Sequence, residues 1–291
     1  MTEHQHTPQW YDSMYNNGAL VPAFPRHVQS WIERSEQARQ GGGCVLDIPY
    51  GDGQRERLDV FPAANANAPV LVFIHGGYWR SMSKAESSFI GAALAHMGAC
   101  AVVPDYALCP GTPEHPVAIP QIVLQMVQAL AWTWRNIARY GGDPSRITVA
   151  GHSAGGHLTA MLMTCDWKVF DPALPANLLR NGLSISGLHE LESIRRTPYL
   201  QTSLRLSAVD ALRASPACMP APRSGVLNAV VGGAESPEFL RQNQLIQSAW
   251  GKGRVPVCEA LDGLNHFSVL EALVEPGTRL NALVRGLLGL A

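Results

Sequence analysis

The sequence predicts an α/β fold, a mainly parallel sheet of about eight strands with helices on both faces and a small helical cap. Two observations predict it. From residue 45 onward, short apolar runs rich in β-branched residues alternate with longer segments of helical periodicity. Then Gly151-His152-Ser153-Ala154-Gly155 follows the run Ile147 to Ala150, so that strand, sharp turn and helix read as one stretch. Alternation of this kind lays the strands parallel through right-handed crossovers. In such sheets, functional groups gather at the carboxyl ends of the strands.

Composition agrees. Of 291 residues, 46% are hydrophobic and 15% charged, which supports a buried core and argues against disorder. A formal net charge of −1 leaves no basic excess for a nucleic-acid partner. The opening stretch Met1 to His6 is polar without an apolar signal core, and no apolar run reaches transmembrane length. The expected compartment is therefore the cytoplasm, with no membrane partner. Six cysteines, at 44, 100, 109, 165, 218 and 258, show no C-x-x-C spacing, so free thiols in apolar surroundings are expected, as for Cys100 and Cys258, and no zinc site.

We read residues 1–291 as a single domain. An N-terminal arm, 1–40, carries Trp10, Tyr11 and Tyr15 and a helical pattern around Val28, Trp31 and Ile32. It either covers apolar surface or lines a pocket. Residues 45–48 and 57–61 form neighbouring strands linked through Gly51-Asp52-Gly53, and Pro69 to Ile74 is a strand buried on both faces. Further strands fall at 99–103, 147–150, 183–186, 226–231 and 257–261. Helices fall at 85–97, 118–139, 154–165, 237–249 and 267–289. The polar segment 188–216, with Arg195, Arg196 and Arg205, is the cap insertion, and one of these arginines could pair a substrate carboxylate.

The chemistry-bearing residues sit at strand ends. A serine on a turn between strand and helix needs small neighbours, and Gly151 and Gly155 supply them. The turn exposes Ser153 and aims the amide of Ala154 where an oxyanion would form. His75-Gly76-Gly77-Tyr78-Trp79 follows a buried strand, and its glycines let the amides of Gly76 and Gly77 approach the same charge. Serine needs a base and a carboxylate to orient it. Glu235 follows one strand and His266 the next, giving the order serine, acid, histidine along the chain. Glu238 is the rival acid, and Asp262 fits a turn better. His152 is locked beside Ser153, and His157 lies one helical turn on, where packing is its expected role.

These residues resemble the α/β-hydrolase fold, and within it the arylformamidase (kynurenine formamidase) and esterase group. The resemblance rests on Tyr15-Asn16-Asn17, His75 to Trp79, Asp105 to Pro110, Gly151 to Leu158, Glu235 to Phe239 and His266-Phe267, and spans almost the whole chain. It implies Ser153 as nucleophile, His266 as base and an oxyanion hole from Gly76, Gly77 and Ala154. In one respect the chain departs from the group, which carries aspartate where Glu235 stands. Tyr78, Trp79 and Phe267, with Trp10 and Tyr11, are candidates to line an aromatic substrate pocket. The implied reaction is hydrolysis of an N-formyl aromatic amine such as N-formylkynurenine through an acyl-enzyme, without metal or organic cofactor. A carboxylesterase for short acyl or aryl esters is the alternative, and a hydrolase-like binding protein without catalysis is the remote one. The partner is a small-molecule ester or amide, and a homodimer is compatible with the sequence.

Overall fold

The computed structural model describes residues 6–290. Positions 1–5, read above as part of a stretch without a signal core, lie outside the described residues.

Eight strands, β1 (Val45–Pro49), β2 (Arg57–Phe61), β3 (Ala68–Ile74), β4 (Cys100–Pro104), β5 (Gly142–His152), β6 (Asn181–Ile185), β7 (Val226–Gly232) and β8 (Cys258–Leu261), form one sheet. Their order is β1-β2-β4-β3-β5-β6-β7-β8. Pairing is parallel from β4 across to β8, and β1 and β2 add an antiparallel edge. That edge follows from chain length: the short glycine-rich link between β1 and β2 reaches only an antiparallel neighbour, whereas a parallel one needs a crossover.

Alternation along β3 divides the interior into two cores. Val70, Val72 and Ile74 point into one, Leu71 and Phe73 into the other. The first is covered by helices Ile119–Asn136, Ala154–Met163 and Pro237–Trp250. The second is covered by Phe24–Gln40, Ser88–Met97, Ser268–Val274 and Arg279–Leu288. The arm straddles both. Its first helix, Pro8–Tyr15, sends Tyr11 and Tyr15 into the first core, while Phe24–Gln40 sends Trp31 into the second. Asp59 on β2, fully buried, fastens the longer arm helix by accepting from Arg39 Nη1 at 2.6 Å and from Lys84 Nζ at 2.7 Å.

Segment 188–216 folds as short helices, Glu192–Arg195, Pro198–Leu204 and Ala208–Arg213. The first two pack against the first arm helix, and Leu191, Ile194, Leu200 and Leu204 join the first core. The single helix expected at 267–289 is corrected to two. Pro276 holds Glu275 extended, Gly277 takes φ +85°, and the Thr278 side chain restarts the helix by accepting from the Asn281 amide at 3.2 Å. All six cysteines are free thiols, of which Cys100 and Cys109 are buried and Cys258 half-buried. Among the described residues no helix is long and apolar enough to cross a membrane.

Candidate active site

β5 runs straight into Ser153, which takes φ 56° and ψ −116° before the helix Ala154–Met163 begins. A non-glycine residue held there costs on the order of 1–3 kcal/mol, and its surroundings must hold it. The Ser153 amide donates to Ile185 O on β6 at 2.8 Å, and its carbonyl accepts from the His157 amide at 3.0 Å. The neighbouring glycines are sterically required. A Cβ at Gly151 would lie 2.2 Å from Gly155 O, and one at Gly155 only 2.0 Å from Ile74 O on β3.

Glu235 stands just past β7 and His266 on the loop after β8, and the pairing of those strands brings them together. His266 Nδ1 meets Glu235 Oε2 at 2.6 Å, with side chains 6% and 1% exposed. Glu235 Oε1 accepts from the Gly232 amide at 2.8 Å and from the Ser186 hydroxyl. With Nδ1 engaged by the carboxylate, Nε2 is the nitrogen left to exchange a proton. The rival acids lie elsewhere: Glu238 pairs with Arg241 at 2.7 Å and accepts from the Tyr15 hydroxyl at 2.7 Å, and Asp262 is exposed. His152 Nε2 donates to His266 O at 2.8 Å, and burial holds its pKa well below the ordinary imidazole value. His157 is likewise pushed down to about 4 by burial and donates from Nε2 to Ala214 O at 2.7 Å. Both are neutral props. Ser153 and His266 line one cavity, with no hydrogen bond between them among those of the described residues. Such contacts commonly close only when substrate is bound.

The loop after β3 lies against the nucleophile, for a Cβ at Gly76 would sit 3.2 Å from Ser153 Cβ. Gly77 takes φ +98°, and a Cβ there would come within 2.2 Å of Ser81 O. The amides of Gly76 and Gly77 donate to no backbone carbonyl among the described residues. Ala154 is the first residue of its helix, so its amide has no acceptor within the helix. The helix dipole favours negative charge at the same point. Residues to which sequence reasoning assigned no role brace this loop. Tyr106 donates to His75 O and Gly76 O, 3.0 Å each, and its ring stacks on His75 at 4.2 Å. Asp105 accepts from His75 Nε2 at 3.0 Å and from Arg55 at 2.7 Å. The signal was present: Asp105-Tyr106 directly follows β4, the strand beside β3.

The cavity holds about 430 Å³ and is walled by Phe24, Trp31, Tyr78, Tyr199 and Phe267, with Asn16, Asn17 and Gly18 of the arm at its rim. The arm thus lines the pocket. Cavities of similar size elsewhere, about 460 and 440 Å³, contain neither Ser153 nor His266. Tyr78 and Phe267 sit in the wall as expected positions for substrate contact, but Trp79 does not. Tyr78 and Trp79 both have positive φ, 49° and 55°, and the reversal turns the indole inward. It is fully buried, edge-on to His157 at 5.0 Å. Trp10 and Tyr11 are also absent from the wall; they pack on each other at 5.1 Å. None of the arginines noted in segment 188–216 lines this cavity. Arg195 and Arg196 both bind Glu192, at 2.6 and 2.8 Å, and Arg205 is exposed. Asn17 was missed: its Nδ2 donates to the Tyr78 hydroxyl at 3.2 Å, which donates in turn to Tyr15 O at 2.7 Å. Tyr199 donates to the same carbonyl at 2.6 Å.

Comparison with known proteins adds the following. The alpha/beta hydrolase fold family matches residues 71–267. The chain is 30% identical to the kynurenine formamidase of Salmo salar over 99% of its own length and 95% of that protein. It is 33% identical to the esterase LipQ of Mycobacterium tuberculosis over 54% of its length and 42% of that protein. Among solved structures, a Silicibacter protein provisionally described as a thioesterase superposes with a TM-score of 0.80 at 30% identity, covering 94% of this chain and 98% of that one.

Proposed function

This chain belongs to the alpha/beta hydrolase fold family, and on that premise we propose that it hydrolyses an N-formyl aromatic amine, such as N-formylkynurenine, to formate and the free amine. His266 Nε2 takes the proton of Ser153 as the hydroxyl oxygen attacks the formyl carbon. The oxyanion is received by the amides of Gly76, Gly77 and Ala154, and Glu235 stabilises the imidazolium. The C–N bond then breaks as His266 passes its proton to the departing nitrogen, leaving formyl-Ser153. Water, activated by the same imidazole, attacks the ester, formate leaves, and Ser153 recovers its proton. The helices of 188–216 act as the cap over this centre.

The observation that carries the reading is the arm's place in the cavity wall, taken with the extent of the likeness. The formamidase relative matches through 99% of this chain, arm included, whereas the esterase relative matches about half. An aromatic cavity of about 430 Å³ also suits a flat arylamine leaving group. The same machinery would cleave an ester, which the esterase likeness favours as the second reading.

Paired kinetics on N-formylkynurenine and a p-nitrophenyl ester series test it. The formamide is expected to have the higher kcat/KM, and Ser153→Ala to lower both activities by roughly 10⁴-fold or more. Turnover of esters alone would establish the second reading instead.

A further inference from the structure

Two charges in the wall of this cavity have no partner of opposite sign among the described residues. Both lie on the segment that follows the Gly76-Gly77 turn: Arg80 and Glu86. The Arg80 guanidinium lies over the Tyr199 ring, 5.2 Å from its centroid. It is steadied by Nη1, which donates to Tyr199 O at 3.2 Å and Ser203 Oγ at 3.4 Å. Nε and Nη2, the edge that grips a carboxylate side-on, find no acceptor among the described residues. Arg80 forms no ion pair there either. Glu86 accepts from the Ser83 hydroxyl and pairs with no cation among the described residues. Buried carboxylates elsewhere are matched, as Asp59 and Glu238 are. An arginine and a glutamate facing one aromatic cavity offer a ligand two charge-assisted contacts of opposite sign. Trp31, in the same wall, has a buried indole N–H with no partner among the described residues.

We propose that Arg80 and Glu86 are specificity-determining residues that hold a zwitterionic amino-acid head, carboxylate on Arg80 and ammonium on Glu86. The aromatic part of the substrate then extends past Trp31, Tyr78 and Phe267 to Ser153. The inference rests on the proposed function for the identity of the acyl group, and on the cavity's charges alone for the head group.

Two substrate pairs keep these apart, each matched in its scissile bond and differing in the head. The first is N-formylkynurenine against 2-formamidoacetophenone, the second O-acetyl-L-tyrosine against p-cresyl acetate. Wild type is expected to prefer the zwitterionic member of each pair. Arg80→Gln should raise KM for that member about 10- to 100-fold, the value of one charge-assisted contact, and leave the neutral member within about twofold. Glu86→Gln should act in the same direction, and Arg80→Lys should recover part of the loss, since it keeps the charge without the fork. The neutral substrate reports on folding in every variant. Equal losses on both members, or no preference in wild type, would overturn the proposal. If esters alone are cleaved, the formamide reading falls while the ester pair still decides the head group.

Discussion

Glu235 shows how much a single side chain depends on what holds it. A glutamate has one more rotatable bond than the aspartate of the related group, and that freedom would blur the geometry of an imidazole partner. Here it is removed: the Gly232 amide and the Ser186 hydroxyl occupy Oε1, leaving Oε2 for His266. Glu235→Gln keeps the shape but can no longer favour the tautomer with a proton on Nδ1, nor offset the imidazolium charge. We expect kcat to fall on the order of 10³- to 10⁴-fold with KM little changed. A loss below tenfold in steady-state kinetics would show that another group orients His266. The residue scale is also where the sequence is least informative about direction. Trp79 follows Tyr78 immediately, yet one faces the cavity and the other the core, because two successive positive φ angles reverse the chain between them.

The elbow between β5 and its helix is the element on which the site depends, and its sterics are local enough to be read from sequence. Gly155 is the test. An added Cβ meets Ile74 O at 2.0 Å, a backbone atom of a central strand that cannot step aside. Gly155→Ala is expected to cost about 3 kcal/mol or more, or to prevent folding, as read from the urea midpoint. Gly286→Ala is the control. It lies in the last helix with nothing within 4 Å of the added atom, and should stabilise by about 0.5–1 kcal/mol. Equal effects from the two would refute the steric account. The break at 275–278 is the element that periodicity hid. Apolar spacing continues across it, and Pro276-Gly277 is the stronger local signal.

At the scale of the molecule, two cores share one sheet, and the first encloses histidines that function does not use. Burial pushes His157 down to about 4 and His189 to about 3. Their folded values lie below the ordinary imidazole value, so between that value and the folded one the unfolded chain binds more protons. Stability is therefore complete above the ordinary value and is lost as pH falls through the window toward 4. For His157 alone the loss reaches on the order of 3 kcal/mol by the bottom of the window. Urea midpoints between neutral and mildly acidic pH should show it, and His157→Gln, which retains an N–H donor but does not titrate, should flatten the curve. Parallel curves for wild type and variant would place the acid sensitivity elsewhere.

The sequence by itself determined the layers of the fold, the turn that carries Ser153, and the placing of Ser153, Glu235 and His266 just past strand ends. These follow from short-range physics: the alternation of apolar residues, the steric demands of a tight turn, and the rule that parallel strands end on one edge. Only the tertiary structure decided the rest. The partner of His266 is Glu235 because β7 and β8 are neighbours, while Glu238 is engaged by Arg241 and Tyr15. Arg80 lines the cavity, whereas Arg195 and Arg196 are engaged by Glu192 and stand outside its wall. The arm became a wall of the site because its two main helices seat in opposite cores, and the chain between them must cross the carboxyl edge of the sheet. Each of these is a contact between residues distant in sequence, and local pattern carries no information about which distant groups will meet.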